Sequence, residues 1–392
     1  MEIRASKRIS SIKPYYFADL EKEIKSLKQS GMDIIRLDMG SPDLPPDNHI
    51  IDSLIESARL HDMHGYGESG GSQSLRSAFS TYYQQRFDVQ LDPKTEVLGL
   101  IGSKEGLFNL SQILIDPGDL VLIPDPSYPV YTVSAKIAGA DVHSMPLLAE
   151  NDFLPDFDSI PENLLARTKL MWLNYPNNPT GAIAPIEFFE KAIAIAKKYH
   201  FVIAHDAPYM DVCFDDFKAR SILEVNGAKD VVIEFNSLSK TYNMAGWRVG
   251  MAVGNSELVR LLGLYKSQMD TSLFKPIMKA AETALLEDQS WIADRNHIYQ
   301  QRRDIVVKVL LELGFSLEIP AASLYVWAKL PENIIDSMDF CNKLLQDTGV
   351  SMTPGEVYGE TGFGYVRISL VTPGERIKIA MHQLVDWMKE KN

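Results

Sequence analysis

Apolar positions recur along this chain with two different periods, and the changes between them mark out its elements. Near the N-terminus Phe17, Leu20, Ile24 and Leu27 keep a spacing of about 3.6 residues, which predicts a helix over 15–29 that Gly31 stops. A strand over 34–37 follows, then helices over 49–60 and 74–87. From residue 97 short apolar runs alternate with amphipathic stretches. They predict strands over 97–101, 120–123, 169–173, 201–204 and 231–235, with helices over 103–114 and 186–199 between them. Strands alternating with helices in this way imply a largely parallel sheet. The last third differs. A helix over 256–286 breaks around 271–275, a long polar helix covers 288–313, and strands follow over 323–327 and 364–370. In the final strand a period of two sets Val366 and Ile368 on one face and Arg367 on the other.

Three stretches are too rich in glycine and proline for regular structure. They are Gly40-Ser41-Pro42-Asp43-Leu44-Pro45-Pro46, Gly65-Tyr66-Gly67-Glu68-Ser69-Gly70-Gly71, and Pro124-Asp125-Pro126-Ser127-Tyr128-Pro129. The last holds the Tyr128 ring between three prolines of fixed φ. A length of 392 residues suits two domains, and 45% hydrophobic with 23% charged residues suits a globular protein with a large core. The net charge of −13 argues against nucleic acid or an anionic membrane as the main partner. Cys213 and Cys341 are too few for a disulfide framework or a thiolate metal site. The first residues lack the apolar core of a secretory signal, and no apolar run is long enough to span a bilayer, so a cytoplasmic location is expected. No internal repeat, low-complexity tract or metal-ligand cluster stands out.

Chemistry-bearing residues gather at predicted strand ends. The strand over 231–235 runs into Ser237-Leu238-Ser239-Lys240, which places Lys240 in a loop. Strand ends are where open α/β sheets bind ligands, and lysine is the residue that forms Schiff bases with carbonyl compounds. Ser237, Ser239 and Arg248 are suitable phosphate ligands. Gly102, Ser103 and Lys104 form a small-residue turn from strand to helix start, a ready anion site. Asn178, Asp206 and Tyr209 follow two other strands. Each has an ordinary reading as a turn, a cap or a solvated side chain. Their convergence on one crevice is the alternative that ties them together.

Together, Asn178-Pro179-Thr180-Gly181, Asp206-Ala207-Pro208-Tyr209 and Ser237-Leu238-Ser239-Lys240 with Arg248 resemble the class I/II aminotransferases of pyridoxal phosphate fold type I. The resemblance runs from the N-terminal helix through Tyr365-Val366-Arg367-Ile368-Ser369. It implies an α/β fold whose large domain holds a mostly parallel seven-stranded sheet flanked by helices, with a smaller α+β domain built from both chain ends. The expected division is an N-terminal segment over 1–47, a cofactor domain over 48–285 and a small domain over 286–392. By the same resemblance Lys240 carries pyridoxal 5'-phosphate and shuttles the substrate proton, while Asp206 pairs with the pyridine nitrogen. Tyr209 and Asn178 would bond the phenolic oxygen, and Tyr128 would stack on the ring. Gly102, Ser103, Lys104, Ser237, Ser239 and Arg248 would hold the phosphate. Tyr66 would reach it from a partner subunit, which implies a homodimer with shared active sites. Arg367 would take the substrate α-carboxylate as a bidentate fork, with Tyr15, Gly40 and Asn178 completing the substrate pocket.

The activity implied is transfer of an amino group from an L-amino acid to a 2-oxo acid through a pyridoxamine intermediate. Rivals are β-elimination on the same fold, as in carbon–sulfur lyases, and a non-catalytic ligand-sensing module. The pattern of 40–45 with Tyr128 is similar to aspartate, alanine and diaminopimelate aminotransferases, which favours transfer. A hydrolase would need a nucleophile–base pair, and none of the eight histidines stands in a recognisable one. No second carboxylate-binding arginine is visible. Lys275 is a candidate for an acidic side chain, and LL-diaminopimelate stays open as a substrate.

Overall fold

The computed structural model describes residues 3–10, 12 and 16–391, so the expected substrate residue Tyr15 lies outside the described residues. Its main body is a seven-stranded sheet of β2 (Val97–Ile101), β3 (Leu120–Asp125), β4 (Asp141–Pro146), β5 (Thr168–Leu173), β6 (Val202–Asp206), β7 (Val232–Ser237) and β8 (Val249–Gly254). Their spatial order is β2-β8-β7-β6-β5-β3-β4. Only β8 runs against its neighbours, β2 and β7; every other pairing is parallel. Hence β2, β3, β5, β6 and β7 all end on one edge of the sheet.

Alternation within β5 shows how both faces are covered. Leu170 and Trp172 enter one apolar layer, with helices Ser103–Leu114, Val130–Ala138 and Ser256–Met269. Met171 and Leu173 enter the opposite layer, with helices Gln73–Phe87, Ile186–Tyr199 and Lys275–Leu286. Strands buried on both faces read as continuous apolar runs, which is why the central strands were legible. Two were not. β4 is an exposed edge strand whose polar Asp141, His143 and Ser144 break any apolar run. β8 is wholly buried but carries Gly250 and Gly254 in a stretch too short of side chains to read as a strand. The helix Val130–Ala138, directly after the proline-rich turn, was not anticipated either.

A second core lies in the C-terminal third. There β9 (Tyr325–Lys329), β11 (Thr353–Pro354) and β12 (Tyr365–Ser369) form an antiparallel sheet in the order β11-β12-β9. Helices Trp291–Glu312, Ser337–Thr348 and Gly374–Lys391 cover it through Val306, Leu344 and Ile377. The strand expected over 34–37 shrinks to β1 (Ile35–Arg36), which pairs in parallel with β10 (Val350–Ser351). That pairing carries the N-terminal helix Tyr16–Gln29 onto the C-terminal core, where Leu20 and Ile24 pack on Leu345. Among the described residues no helix is long and apolar enough to cross a membrane, and no group of His, Cys, Asp and Glu could hold a metal ion.

Candidate active site

The edge where the strands end opens into a cavity of about 610 Å³ between the two cores. Lys240 enters it from β7. It lies not in a loop, as expected, but on a one-turn helix, Leu238–Thr241, because the Ser237 side chain accepts from the Ser239 N–H and caps the turn. The other end of that turn is satisfied by Arg295, a buried residue that donates to the carbonyls of Lys240 at 2.8 Å and of Thr241. Lys240 Nζ donates to the Gly40 carbonyl. Burial pushes the amine below the ordinary lysine range. Tyr325 opposes that shift, and the cations Arg367 and Arg248 reinforce it.

Asp206 closes β6 and is buried. Its Oδ2 accepts from the Tyr131 hydroxyl at 2.6 Å, while its Oδ1 is buried without a partner. Burial pushes the carboxyl up to about 6, against the Tyr131 hydrogen bond and the His205 and Lys240 charges. Asn174 fixes the strand-end geometry: its Nδ2 donates to the Asp206 carbonyl at 2.6 Å and its Oδ1 accepts from the Asn178 N–H at 2.8 Å.

The opposite wall belongs to β12. Arg367, read from sequence as the one polar side of a strand, is buried to 3% exposure because the cavity and two aromatic rings enclose it. Its Nη1 donates to Asn178 Oδ1 at 3.0 Å and its Nη2 to the Asp38 carbonyl at 2.7 Å. The guanidinium lies 4.0 Å from the Tyr325 ring centroid and 4.9 Å from that of Tyr358. Its Nε is buried and unpartnered.

The expected anion site is at the start of the helix Ser103–Leu114. Gly102 has φ +73°, and a Cβ there would run into the Arg248 guanidinium. Arg248 Nη1 donates to Ser239 Oγ at 3.4 Å and to the Ala245 carbonyl at 2.8 Å. Helix N–H groups, Ser103, Lys104, Ser237, Ser239 and Arg248 therefore line one corner of the cavity. The Lys104 ammonium lies 5.5 Å from the Tyr128 ring centroid, which brings that aromatic to the same corner.

Of the expected site residues, Gly40, Ser103, Lys104, Tyr128, Asn178, Asp206, Tyr209, Ser237, Ser239, Lys240, Arg248 and Arg367 all line this cavity, and Gly102 adjoins it. Tyr66 does not line the cavity of its own chain: it is 88% exposed. Lys275 points elsewhere, donating to the Asp62 carbonyl at 3.2 Å. Several lining residues, Glu21, Asp38, Asn174 and Tyr358 among them, were not expected from sequence, and two stand out. Tyr325 sits in an apolar strand pattern that looks like core, yet its hydroxyl meets that of Tyr209 at 3.1 Å. Burial would raise it, but Arg367 and Lys240 outweigh burial and hold this phenol below its ordinary value. The other is Arg36, a third guanidinium in the same cavity beside Arg248 and Arg367, on a strand of two residues.

These groups suit pyridoxal phosphate on structural grounds alone. A buried carboxylate oxygen without a donor, an amine made less basic, a helix start braced by Arg248 and, apart from it, the buried Arg367 with a spare donor are four complementary demands. Lys240, Asp206, Tyr128 and the Gly102–Lys104 corner would hold its aldehyde, ring nitrogen, ring face and phosphate.

Known proteins agree. Residues 32–384 match the family aminotransferase class I and II. The LL-diaminopimelate aminotransferase of Dehalococcoides mccartyi is 44% identical over 99% of this chain and 100% of its own length. That of Moorella thermoacetica is 43% identical over 97% and 98%. Among solved structures, apo-BacF from Bacillus subtilis superposes with a TM-score of 0.94 at 38% identity, covering 98% of each chain. The aspartate aminotransferase of Thermotoga maritima gives 0.91 at 28% identity over 98% and 100%. The chain thus belongs to the class I and II aminotransferases, enzymes that depend on pyridoxal phosphate and move an amino group between substrates.

Proposed function

We propose that this aminotransferase takes its amino group from LL-diaminopimelate and works as a cytoplasmic homodimer whose active sites are shared. The observation that carries the substrate is the full-length likeness, at 44% identity, to proteins of that specificity. Both cysteines are free, which suits a reducing compartment. The same reading takes 1–47 with 286–392 as one domain and 48–285 as the other.

Pyridoxal phosphate, when bound, supplies the carbonyl that receives the amino group and a ring that accepts electrons. The chain supplies the rest. Arg367 takes the donor's α-carboxylate with donors already fixed by Asn178 and the Asp38 carbonyl, so little reorganisation is needed on binding. Asp206, whose buried Oδ1 has no partner, would pair with the ring nitrogen and keep a proton there. Lys240 Nζ, made less basic by burial, stays unprotonated more readily than an exposed lysine, so it would accept the substrate's Cα proton and would return it. Tyr209 and Asn178, both lining the cavity, would bond the phenolic oxygen, and the Tyr325 hydroxyl meets that of Tyr209.

The dimer reading rests on one surface. Leu60, Tyr66, Leu264, Tyr265, Met269 and Phe274 are all large apolar residues at least 39% exposed. Gly67 N–H donates to Ser272 Oγ at 3.0 Å, and Lys275 reaches the Asp62 carbonyl, so the Tyr66 loop is tied to the 270–275 stretch as one patch. Exposed apolar patches on folded chains are where partners dock, which supports the dimer reading, and Tyr66 would reach a partner's phosphate corner.

The deciding measurement is a single half-reaction. Holoenzyme mixed with LL-diaminopimelate should lose the visible absorbance of its bound pyridoxal form, and adding a 2-oxo acid should restore it. No change with LL-diaminopimelate, alongside conversion by another amino acid, refutes the substrate.

A further inference from the structure

The cavity does not end at Arg367. Past Asp38 it is lined by Arg36 and Glu21. Arg36 is held on its inner side by Asp38: Nε and Nη2 donate to Oδ1 and Oδ2, each at 2.7 Å, and the Asp38 side chain is wholly buried. On its outer side Nη1 donates to Glu21 Oε2 at 2.8 Å, and the Glu21 side chain is 63% exposed. Glu21 stands one helical turn after Phe17, and both face the cavity. One residue therefore spaces two guanidinium groups, since the Asp38 carbonyl holds Arg367 and its carboxylate holds Arg36.

The two halves of this cluster differ in strength. A bidentate pair with a buried carboxylate fixes Arg36, whereas the single contact to Glu21, whose side chain stands largely in solvent, is the weaker of the two and opens more easily. Opening it leaves one cation and one anion side by side, facing a donor whose first carboxylate is on Arg367. The chemistry that matches is a second ammonium and carboxylate at the donor's far end.

We propose that Arg36 and Glu21 form a distal subsite that reads a terminal amino-acid group: Arg36 takes the far carboxylate and Glu21 the far ammonium. This deepens the diaminopimelate reading and rests on it for the choice of donor. Each residue contributes to one charge only, so the two are separable.

The test uses holoenzyme and four donors of similar length. LL-diaminopimelate carries both distal charges, lysine the ammonium, 2-aminoadipate the carboxylate, and norleucine neither. Glu21→Gln should lower kcat/KM for LL-diaminopimelate and lysine roughly 3- to 10-fold relative to norleucine, through KM, because binding alone is lost. The 2-aminoadipate to norleucine ratio should hold. Arg36→Lys, which keeps a cation beside Asp38, should depress LL-diaminopimelate and 2-aminoadipate instead. A purely structural role for the cluster predicts a lower Tm and an equal loss on all four donors; that pattern, or unchanged ratios, overturns the inference. A wild type that rejects LL-diaminopimelate while these variants still shift the lysine or 2-aminoadipate ratios sinks the diaminopimelate reading alone. A wild type that uses LL-diaminopimelate with ratios indifferent to both variants sinks the subsite alone.

Discussion

Tyr131→Phe removes a single oxygen from the buried layer behind Asp206. The ring itself should stay, because it is wholly buried and stacked on Trp172 with centroids 4.8 Å apart. What is lost is the 2.6 Å hydrogen bond to Asp206 Oδ2, the hydrogen bond that keeps this buried carboxyl from rising further. A hydrogen bond to a charged group contributes about 1.5–3 kcal/mol, and about 1.4 kcal/mol is one pKa unit, so the carboxyl should rise by roughly 1–2 units. From a starting value of about 6 it would pass neutrality. Infrared titration of the cofactor-free protein reads this directly, with the Asp206→Asn spectrum subtracted to assign the carboxylic acid band. The band should persist to higher pH in Tyr131→Phe than in the wild type. A midpoint unchanged within a few tenths of a unit would refute the claim that Tyr131 holds Asp206 ionised.

Lys240→Ala should abolish fixation of the cofactor by borohydride, read by peptide mapping; fixation at another lysine contradicts the assignment. Asp206→Asn should lower kcat by on the order of 10² or more, since it removes a charge that acts on the reacting ring. It should also change stability in a definite direction. The folded value of about 6 lies above the ordinary 3.8, so in the cofactor-free protein this group's contribution is complete below 3.8 and is lost as pH climbs through 6. That loss is about 3 kcal/mol, and denaturant titrations of Asp206→Asn at pH 4 and 7 should lack it. Gly102→Ala puts a Cβ against Arg248 at φ +73° and should weaken cofactor retention at least tenfold by equilibrium dialysis, with Tm little changed. Tyr66→Phe mixed with Lys240→Ala should recover activity above either parent as subunits exchange, because one site of each heterodimer escapes both lesions; exchange without recovery refutes a shared site.

How much of this was readable in advance follows from where the information lay. The strands β5, β6 and β7 announce themselves because burial on both faces demands unbroken apolar runs. Lys240, Asp206 and Asn178 were legible because each follows such a run within a distinctive tetrapeptide. Arg36 and Tyr325 were not, since their importance comes from a long-range meeting of β1, β9 and β12 that local pattern does not encode. Arg295 was hidden for a similar reason: on a polar helix it looked solvated, yet it caps the Lys240 turn from 55 residues away. Tyr131 was lost with its unanticipated helix.

The reversal of β8 against β7 has a consequence for how such a chain can change. Ser237 pairs with Gly250 in register, so the span carrying Lys240 and Arg248 is pinned at both ends by the sheet. Adding or deleting one residue there would flip the faces of a wholly buried strand. The interval between amine and phosphate anchor is thus inelastic, a fixed gauge cut to one cofactor. The two-residue pairing of β1 with β10 imposes no such gauge on the segment bearing Glu21 and Arg36. Insertions and grafts meant to alter the accepted donor therefore belong in that segment.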